Sequence, residues 1–129
     1  MFFRSHDKEI GRLASLLAVT ERSTIADFGA GKGRFSAAFS KIVGADGKIY
    51  AVEADPKLID KLNDRVATDK LANVTVVQST ETNSNLAALS CDAIFARFSY
   101  HHFSQPAAMD ASLFDAVLSN LSDPATGVW

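Results

Sequence analysis

The 129-residue sequence has few of the features of a secreted, membrane or nucleic-acid-binding protein. It has one cysteine, Cys91, which excludes an internal disulfide and favours a reducing compartment. No apolar run approaches the ~20 residues that a membrane span needs, and the charged N-terminus is not that of a signal peptide. With 13 Lys and Arg against 15 Asp and Glu, no segment concentrates basic residues, so neither nucleic acid nor membrane is expected as a partner. We predict a cytoplasmic protein.

The sequence does contain an alternation of strand-like and helix-like segments. Strands are predicted over Thr24–Phe28, Lys48–Val52, Asn73–Gln78 and Asp92–Phe98. Helices are predicted over about 6–19, directly after the glycines that end at Gly33, from the Asp55-Pro56 pair, and from Pro106. Such alternation with short connections is typical of α/β proteins with a parallel sheet. Because no linker or repeat is present, we predict a single domain over residues 1–129.

A glycine-rich turn joins the first predicted strand to the next helix in the segment Asp27-Phe28-Gly29-Ala30-Gly31-Lys32-Gly33. Glycine tolerates positive φ and lets a ligand approach the backbone, and the following helix N-terminus favours a carboxylate or phosphate. Glu53 ends the second predicted strand, 20 residues after Gly33. A carboxylate in that position can accept hydrogen bonds from a ribose diol. The turn and the acid together predict an adenosine-type ligand.

The spacing of the glycines distinguishes between possible ligands. Gly29, Gly31 and Gly33 form G-x-G-x-G, whereas NAD-binding proteins carry G-x-G-x-x-G and P-loop proteins carry G-x-x-x-x-G-K-[ST]. Preceded by an acidic residue, the segment resembles the first motif of the class I S-adenosylmethionine-dependent methyltransferases. The resemblance continues through IYAVEADPKLIDKL, VVQSTETNSNL and CDAIFARFSYHHF, and it covers about residues 9–121 in the same order.

The resemblance implies a Rossmann-like three-layer αβα fold with strand order 3-2-1-4 and S-adenosylmethionine as the cofactor. It places the amino-acid end of the cofactor at the glycine turn, the ribose at Glu53, and the adenine beside Ala54 and Asp55. The implied cofactor-binding residues are Asp27, Gly29, Ala30, Gly31, Gly33, Glu53, Ala54, Glu81 and Arg97. The implied substrate pocket comprises Phe98, Tyr100, His101 and His102, after the fourth predicted strand.

Several of these residues also have a purely structural interpretation. Asp27 could orient the turn without touching a ligand, Glu53 could be a solvated strand end, and Glu81 could belong to an ordinary loop. Arg97 could meet a carboxylate of the cofactor or substrate, or it could pair with Asp27. Cys91 is expected to be a small buried residue and not a nucleophile.

The paired histidines do not predict a metal site. Neighbouring side chains in an extended chain point to opposite sides, so His101 and His102 are not expected to share a metal, and only His6 remains besides them. They could shape the substrate pocket, act as a general base, or pack as loop residues. Methyl transfer from an activated sulfonium mainly requires positioning, so no catalytic residue is assigned.

The sequence departs from the family at its C-terminal end. The family's sheet normally has seven strands, and Asn120–Trp129 resembles the turn before the fifth. The sheet is therefore expected to end at an open fourth strand, as in a fragment truncated before the fifth strand, and a homodimer that covers this edge is the alternative. We predict a methyltransferase acting on an unidentified small-molecule acceptor. The alternative is a catalytically inactive methyltransferase-like binding or interaction domain, and the glycine spacing disfavours an NAD-dependent oxidoreductase.

Overall fold

The computed structural model describes residues 5–96 and 106–117. In chain order, its helices and strands are α1 (Ser5–Leu16), β1 (Thr24–Phe28), α2 (Arg34–Val43), β2 (Lys48–Glu53), α3 (Pro56–Thr68), β3 (Val74–Gln78), β4 (Ala93–Ala96) and α4 (Pro106–Val117). The predicted alternation of strands and helices is confirmed. None of the helices within these residues has the length and apolar character needed to cross a membrane.

The strands form one parallel sheet in the order β3-β2-β1-β4, as predicted. β1 lies inside this sheet, where Ile25 is opposite Ile49 on one side and Ala93 on the other. The last four residues of β1 are all buried. A strand covered on both faces reads as a continuous apolar run, which is why Thr24–Phe28 could be recognised from the sequence.

Helices cover both faces of the sheet and produce the predicted three layers. One core joins α1, α2 and α3 to the sheet, and its buried residues are Ile10, Ile25, Phe35, Phe39, Val43, Ile49, Ala51, Leu62, Val74 and Phe95. The other core joins α4 to the opposite face, and its buried residues are Ala26, Phe28, Val52, Cys91, Ile94, Met109, Leu113, Ala116 and Val117. The alternation of side chains along each strand explains this division into two cores.

Several element boundaries differ from the sequence-based expectation, beginning with β2, which extends one residue further, to Glu53. α1 ends at Leu16 and not near residue 19, because Ala18 adopts a left-handed conformation with φ of 53°. β3 begins one residue late because the Asn73 side chain caps α2. β4 begins at Ala93 because Asp92 turns its carboxylate to the Thr24 N–H, at 2.8 Å. Residues 97 and 98 of the predicted fourth strand lie outside the described residues.

The connection from β3 to β4, residues 79–92, contains no helix. Side-chain hydrogen bonds fix it to α4 instead. The Ser84 N–H donates to Ser112 Oγ at 3.0 Å, and the two hydroxyl oxygens lie 2.8 Å apart. Because Ser84 is completely buried, these bonds satisfy polar groups that water cannot reach.

The amino ends of the strands are closed by hydrogen bonds from neutral groups. Asn73 Nδ2 donates to the carbonyl oxygens of Ser40 and Gly44, at 2.9 Å each. These carbonyls belong to the last turn of α2 and its cap, where each already accepts one backbone N–H bond, so the Asn73 amide is a second donor to each. At the opposite edge, the Asp55 side chain accepts from the Lys57 N–H at 2.9 Å and caps α3, as the Asp55-Pro56 pair predicts.

Candidate functional site

The glycine turn lies at the carboxyl ends of β1 and β2, where α/β folds commonly bind ligands. Gly29, Gly31 and Gly33 all have positive φ, at 78°, 60° and 85°. The N–H groups of Gly29 and Ala30 both donate to the carbonyl oxygen of Val52, at 2.8 and 2.9 Å. The turn therefore folds back across the end of β2, and its conformation is one that glycine adopts without strain.

Glu53 connects the end of β2 to this turn. Its Oε1 accepts a hydrogen bond from the Gly31 N–H at 3.0 Å, and its Oε2 accepts from the N–H groups of Ala54 and Asp55 at 2.9 and 3.0 Å. The residue is only 7% exposed. A carboxylate at this depth is costly unless hydrogen bonded, and the three backbone donors offset that cost. The predicted acid and the predicted turn form one structural unit.

Gly31 and Gly33 have different surroundings. A Cβ added at Gly31 would meet nothing within 4 Å, so the space beside this residue is open. A Cβ at Gly33 would lie 2.8 Å from Leu62 Cδ2 and 3.3 Å from Arg65 Cδ, both on α3. Gly31 therefore leaves room for a ligand, whereas Gly33 allows the turn to pack closely on α3. Binding of a ligand by Gly33 stays a prediction.

Asp27 is buried at the end of β1, with 2% of its surface exposed. Its Oδ2 accepts a hydrogen bond from Ser36 Oγ at 2.7 Å. Ser36 lies in the first turn of α2, so this bond holds the helix start over the end of β1. The contact supports the interpretation that Asp27 orients the turn. Sequence reasoning missed Ser36, whose only signal is a hydroxyl on the inward face of the helix that follows the glycines.

The remaining predicted site residues fall into two groups. Ala54 lies in the site through its N–H bond to Glu53, and Glu81 is an exposed residue in the loop after β3, at the same edge of the sheet. Arg97, Phe98, Tyr100, His101 and His102 lie outside the described residues, and their roles stay predictions. Within the described part of the chain, no group of three or more His, Cys, Asp or Glu residues could hold a metal ion.

Cys91 lies at the other end of the sheet, just before β4. It is completely buried, as expected from the sequence. Burial raises the pKa of its thiol, the nearby Asp92 charge adds to that effect, and a hydrogen bond with Ser90 opposes it. A thiol with a raised pKa and no exposure is a poor nucleophile, so Cys91 has no role in the chemistry at the glycine turn.

Comparisons with known proteins agree with the geometry. Residues 25–121 match the family model of the methyltransferase domain. A protein-L-isoaspartate O-methyltransferase from Methanococcoides burtonii is 37% identical over 65 residues, which are 50% of this chain and 32% of that protein. The crystal structure of a SAM-dependent methyltransferase from Aquifex aeolicus aligns with a TM-score of 0.77 and 28% identity, over 84% of this chain and 57% of that one.

A second solved structure is named for a different reaction. The crystal structure of a [4+2]-cyclase aligns with a TM-score of 0.75 and 14% identity, over 86% of this chain and 40% of that one, and this likeness shows the fold alone. The chain thus spans between 32% and 57% of the length of these three proteins. The family model covers β1 through α4 and includes the glycine turn and Glu53. The chain belongs to the methyltransferase domain family and has the class I fold of the S-adenosylmethionine-dependent methyltransferases.

Proposed function

We propose that this chain binds S-adenosylmethionine at the carboxyl edge of its sheet and is the cofactor-binding part of an enzyme that methylates a small molecule. The observation that carries the proposal is the hydrogen bond from the Gly31 N–H to Glu53 Oε1. This bond joins a strand-end carboxylate, which can bind a ribose, to a glycine turn, which can bind the amino-acid end of the cofactor. A turn that merely connected β1 to α2 would need neither the buried acid nor the open space at Gly31.

The residues of the site suit an adenosine-containing cofactor. A carboxylate oxygen can accept two hydrogen bonds, and Glu53 Oε1 accepts one from the backbone, so it can also accept one from a ribose hydroxyl. Oε2 is already engaged by two N–H groups, which hold the carboxylate in place. Ala54 presents a small side chain where the adenine would lie, and Gly31 presents none at the turn.

The cofactor, when bound, supplies a methyl group already activated by its sulfonium. The chain's residues have the task of binding and orienting, which can account for a large part of the rate of a displacement between two held reactants. The carboxylates of Asp27 and Glu53 accept hydrogen bonds from Ser36 and from the backbone, which argues against a general-base role for either. The family resemblance places the acceptor near Arg97 and Phe98, directly after β4, and this placement stays a prediction. A single buried cysteine also supports a cytoplasmic setting.

Calorimetric titration with S-adenosylhomocysteine tests the cofactor proposal. We expect saturable binding that Glu53→Ala weakens about tenfold or more, because a hydrogen bond to a charged acceptor is lost. Asp92→Asn is the matched control, since Asp92 also accepts a backbone N–H bond but at the opposite edge of the sheet. NAD serves as the control ligand, and circular dichroism verifies that each variant is folded. Failure of the folded chain to bind, or equal weakening by both substitutions, would contradict the proposal.

The second candidate function is a binding domain that transfers no methyl group. The similarity to the [4+2]-cyclase favours this alternative, because that protein has the same fold but is named for a reaction other than methyl transfer. The outer edge of β4 pairs with no strand among the described residues, and such a domain could join a second copy there. Turnover of S-adenosylmethionine with candidate acceptors separates the two functions, since binding of the cofactor is common to both.

A further inference from the structure

A basic cleft lies beside the glycine turn, between the start of α2 and the middle of α3. It is lined by Lys32, Arg34, Lys61, Asp64 and Arg65 and has a volume of about 400 Å³. Four cationic side chains thus line the cleft with one carboxylate, and a second carboxylate, Asp69, pairs with Arg65 at its margin, in a chain whose net charge is −2. This concentration of positive charge is not visible along the sequence, because two of the cations come from the turn region and two from α3.

Arg65 is held in place within the basic cleft. Its Nε lies 3.3 Å from Asp69 Oδ2, and its Nη1 lies 3.5 Å from the carbonyl oxygen of Lys32. Its Cδ packs against Gly33. A guanidinium that is already oriented loses less conformational entropy when it binds an anion, and its planar array of donors matches two phosphate or carboxylate oxygens.

The two lysines of the basic cleft add charge that the surrounding residues do not neutralise. In the described part of the chain, neither Lys32 nor Lys61 has a carboxylate oxygen within 4.0 Å. Arg34 adds a second guanidinium on the α2 side. With Asp64 as the one acidic lining residue, the cleft favours an anion of more than one negative charge over a monocarboxylate.

A second cleft in the same protein provides a contrast. It lies at the amino edge of the sheet, has a volume of about 480 Å³, and is lined by Lys48 and Lys70 together with neutral residues. It contains two cations and no arginine. Since the two clefts are similar in size, the basic cleft differs from the amino-edge cleft in charge and in the donor geometry of arginine.

We propose that the basic cleft binds a phosphoryl group of a small phosphorylated ligand. S-adenosylmethionine carries no phosphate, so binding of the cofactor does not account for the cluster. Arginine pairs with phosphate through two parallel hydrogen bonds, and lysine contributes a further point charge. The ligand would bind against Lys32 and Gly33, directly beside the cofactor turn. This proposal does not depend on the methyl-transfer function.

Titration of the ¹⁵N-labelled chain with pyrophosphate, followed by NMR, tests the proposal. We expect saturable shifts in the amide signals of residues 32–34 and 61–65. Lys61→Ala should weaken binding about fivefold, the effect of one exposed charge pair. Arg65→Lys should also weaken it, because the charge is kept and the planar donor array is lost. Lys48→Ala and Lys70→Ala, in the amino-edge cleft, are the matched controls and should leave the affinity unchanged.

Three results would overturn the proposal. The first is the absence of saturation by about 10 mM pyrophosphate, which corresponds to no useful affinity. The second is an equal loss of affinity in the two control variants, which would indicate a response to net charge alone. The third is binding of a short single-stranded oligonucleotide at least about 100-fold tighter than pyrophosphate, with a steep salt dependence, because the cleft would then be part of a nucleic-acid surface.

Discussion

At both edges of the sheet a side chain holds one end of α2 in place, but the chemical groups that do so differ. At the carboxyl edge, the carboxylates of Asp27 and Glu53 accept hydrogen bonds from a helix hydroxyl and from the backbone of a turn. At the amino edge, the neutral amide of Asn73 donates to the carbonyls that end α2. Both arrangements fix a helix end against a strand end, but only the carboxyl edge does so with buried charge.

This difference supports the proposal that the ligand binds at the carboxyl edge. Burying an ionised carboxylate is costly even when it is hydrogen bonded, and the amino edge demonstrates that a neutral side chain is sufficient to close a helix. Glu53 therefore exceeds what closing a helix requires, whereas Asp27 has a structural partner in Ser36. Under the proposed function, a ligand that donates hydrogen bonds, such as a ribose diol, would account for Glu53, while Asp27 acts through Ser36 on the position of the turn.

The largest effect should come from substitution of Gly31 or Gly33, two of the three glycines of the turn. In Gly33→Ala, strain from positive φ adds about 1–2 kcal/mol, and the contact with the buried Leu62 adds overpacking of about 1–3 kcal/mol. In Gly31→Ala only the strain applies, because the added Cβ meets open space. Urea unfolding should therefore give a larger loss of stability for Gly33→Ala.

Gly31→Ala and Gly33→Ala should rank in the opposite order when ligand affinity is measured instead of stability. Provided that both variants fold, Gly31→Ala should lose more affinity for S-adenosylhomocysteine relative to its loss of stability. The reason is that its Cβ projects into the open space beside the turn. Equal destabilisation by the two substitutions would mean that Leu62 and Arg65 move away without cost. The packing role assigned to Gly33 would then be wrong.

A smaller effect is expected from one hydrogen-bonding side chain at each edge. Ser36→Ala removes a donor from the buried Asp27 carboxylate and should cost about 1.5–3 kcal/mol, as for hydrogen bonds to charged groups. Asn73→Ala removes three part-buried bonds, two to backbone carbonyls and one from the Ser40 hydroxyl, at about 1 kcal/mol each or less because water can partly replace them. Denaturant unfolding measures both losses, and cofactor binding should fall only in Ser36→Ala. A fall in binding for Asn73→Ala would remove the distinction between the two edges.

Much of the fold could be predicted from the sequence because it depends on local patterns. The apolar run of Thr24–Phe28 and the Asp55-Pro56 start of α3 identify their elements without tertiary information. The glycine turn and Glu53 could be paired because parallel strands end at a common edge. The strand order required the family resemblance, since periodicity does not specify which strands are neighbours.

The parts that escaped prediction depend on contacts between distant segments. The sequence alone does not say that Gly31 borders open space while Gly33 touches α3. It also does not reveal that Asp27 meets Ser36, or that Lys32 and Lys61 line one cleft. These contacts depend on how α2 and α3 pack on the sheet. If a side chain lay one position earlier or later on its helix, it would face a different partner.

The smallest expected effect lies at the amino edge, where burial raises the pKa of Cys91 above its ordinary value of 9.0. The folded chain then holds this proton more tightly than the unfolded chain. Its contribution to stability is complete below about pH 9 and is lost as the pH rises toward the folded pKa, by at most about 1.4 kcal/mol per pH unit.

Urea unfolding of the wild type and of Cys91→Ala should therefore show a stability difference that narrows above pH 9. A stability difference that does not change with pH would mean that the thiol ionises as readily in the folded chain as in the unfolded chain. Cys91 would then be a reactive thiol, contrary to what its complete burial predicts.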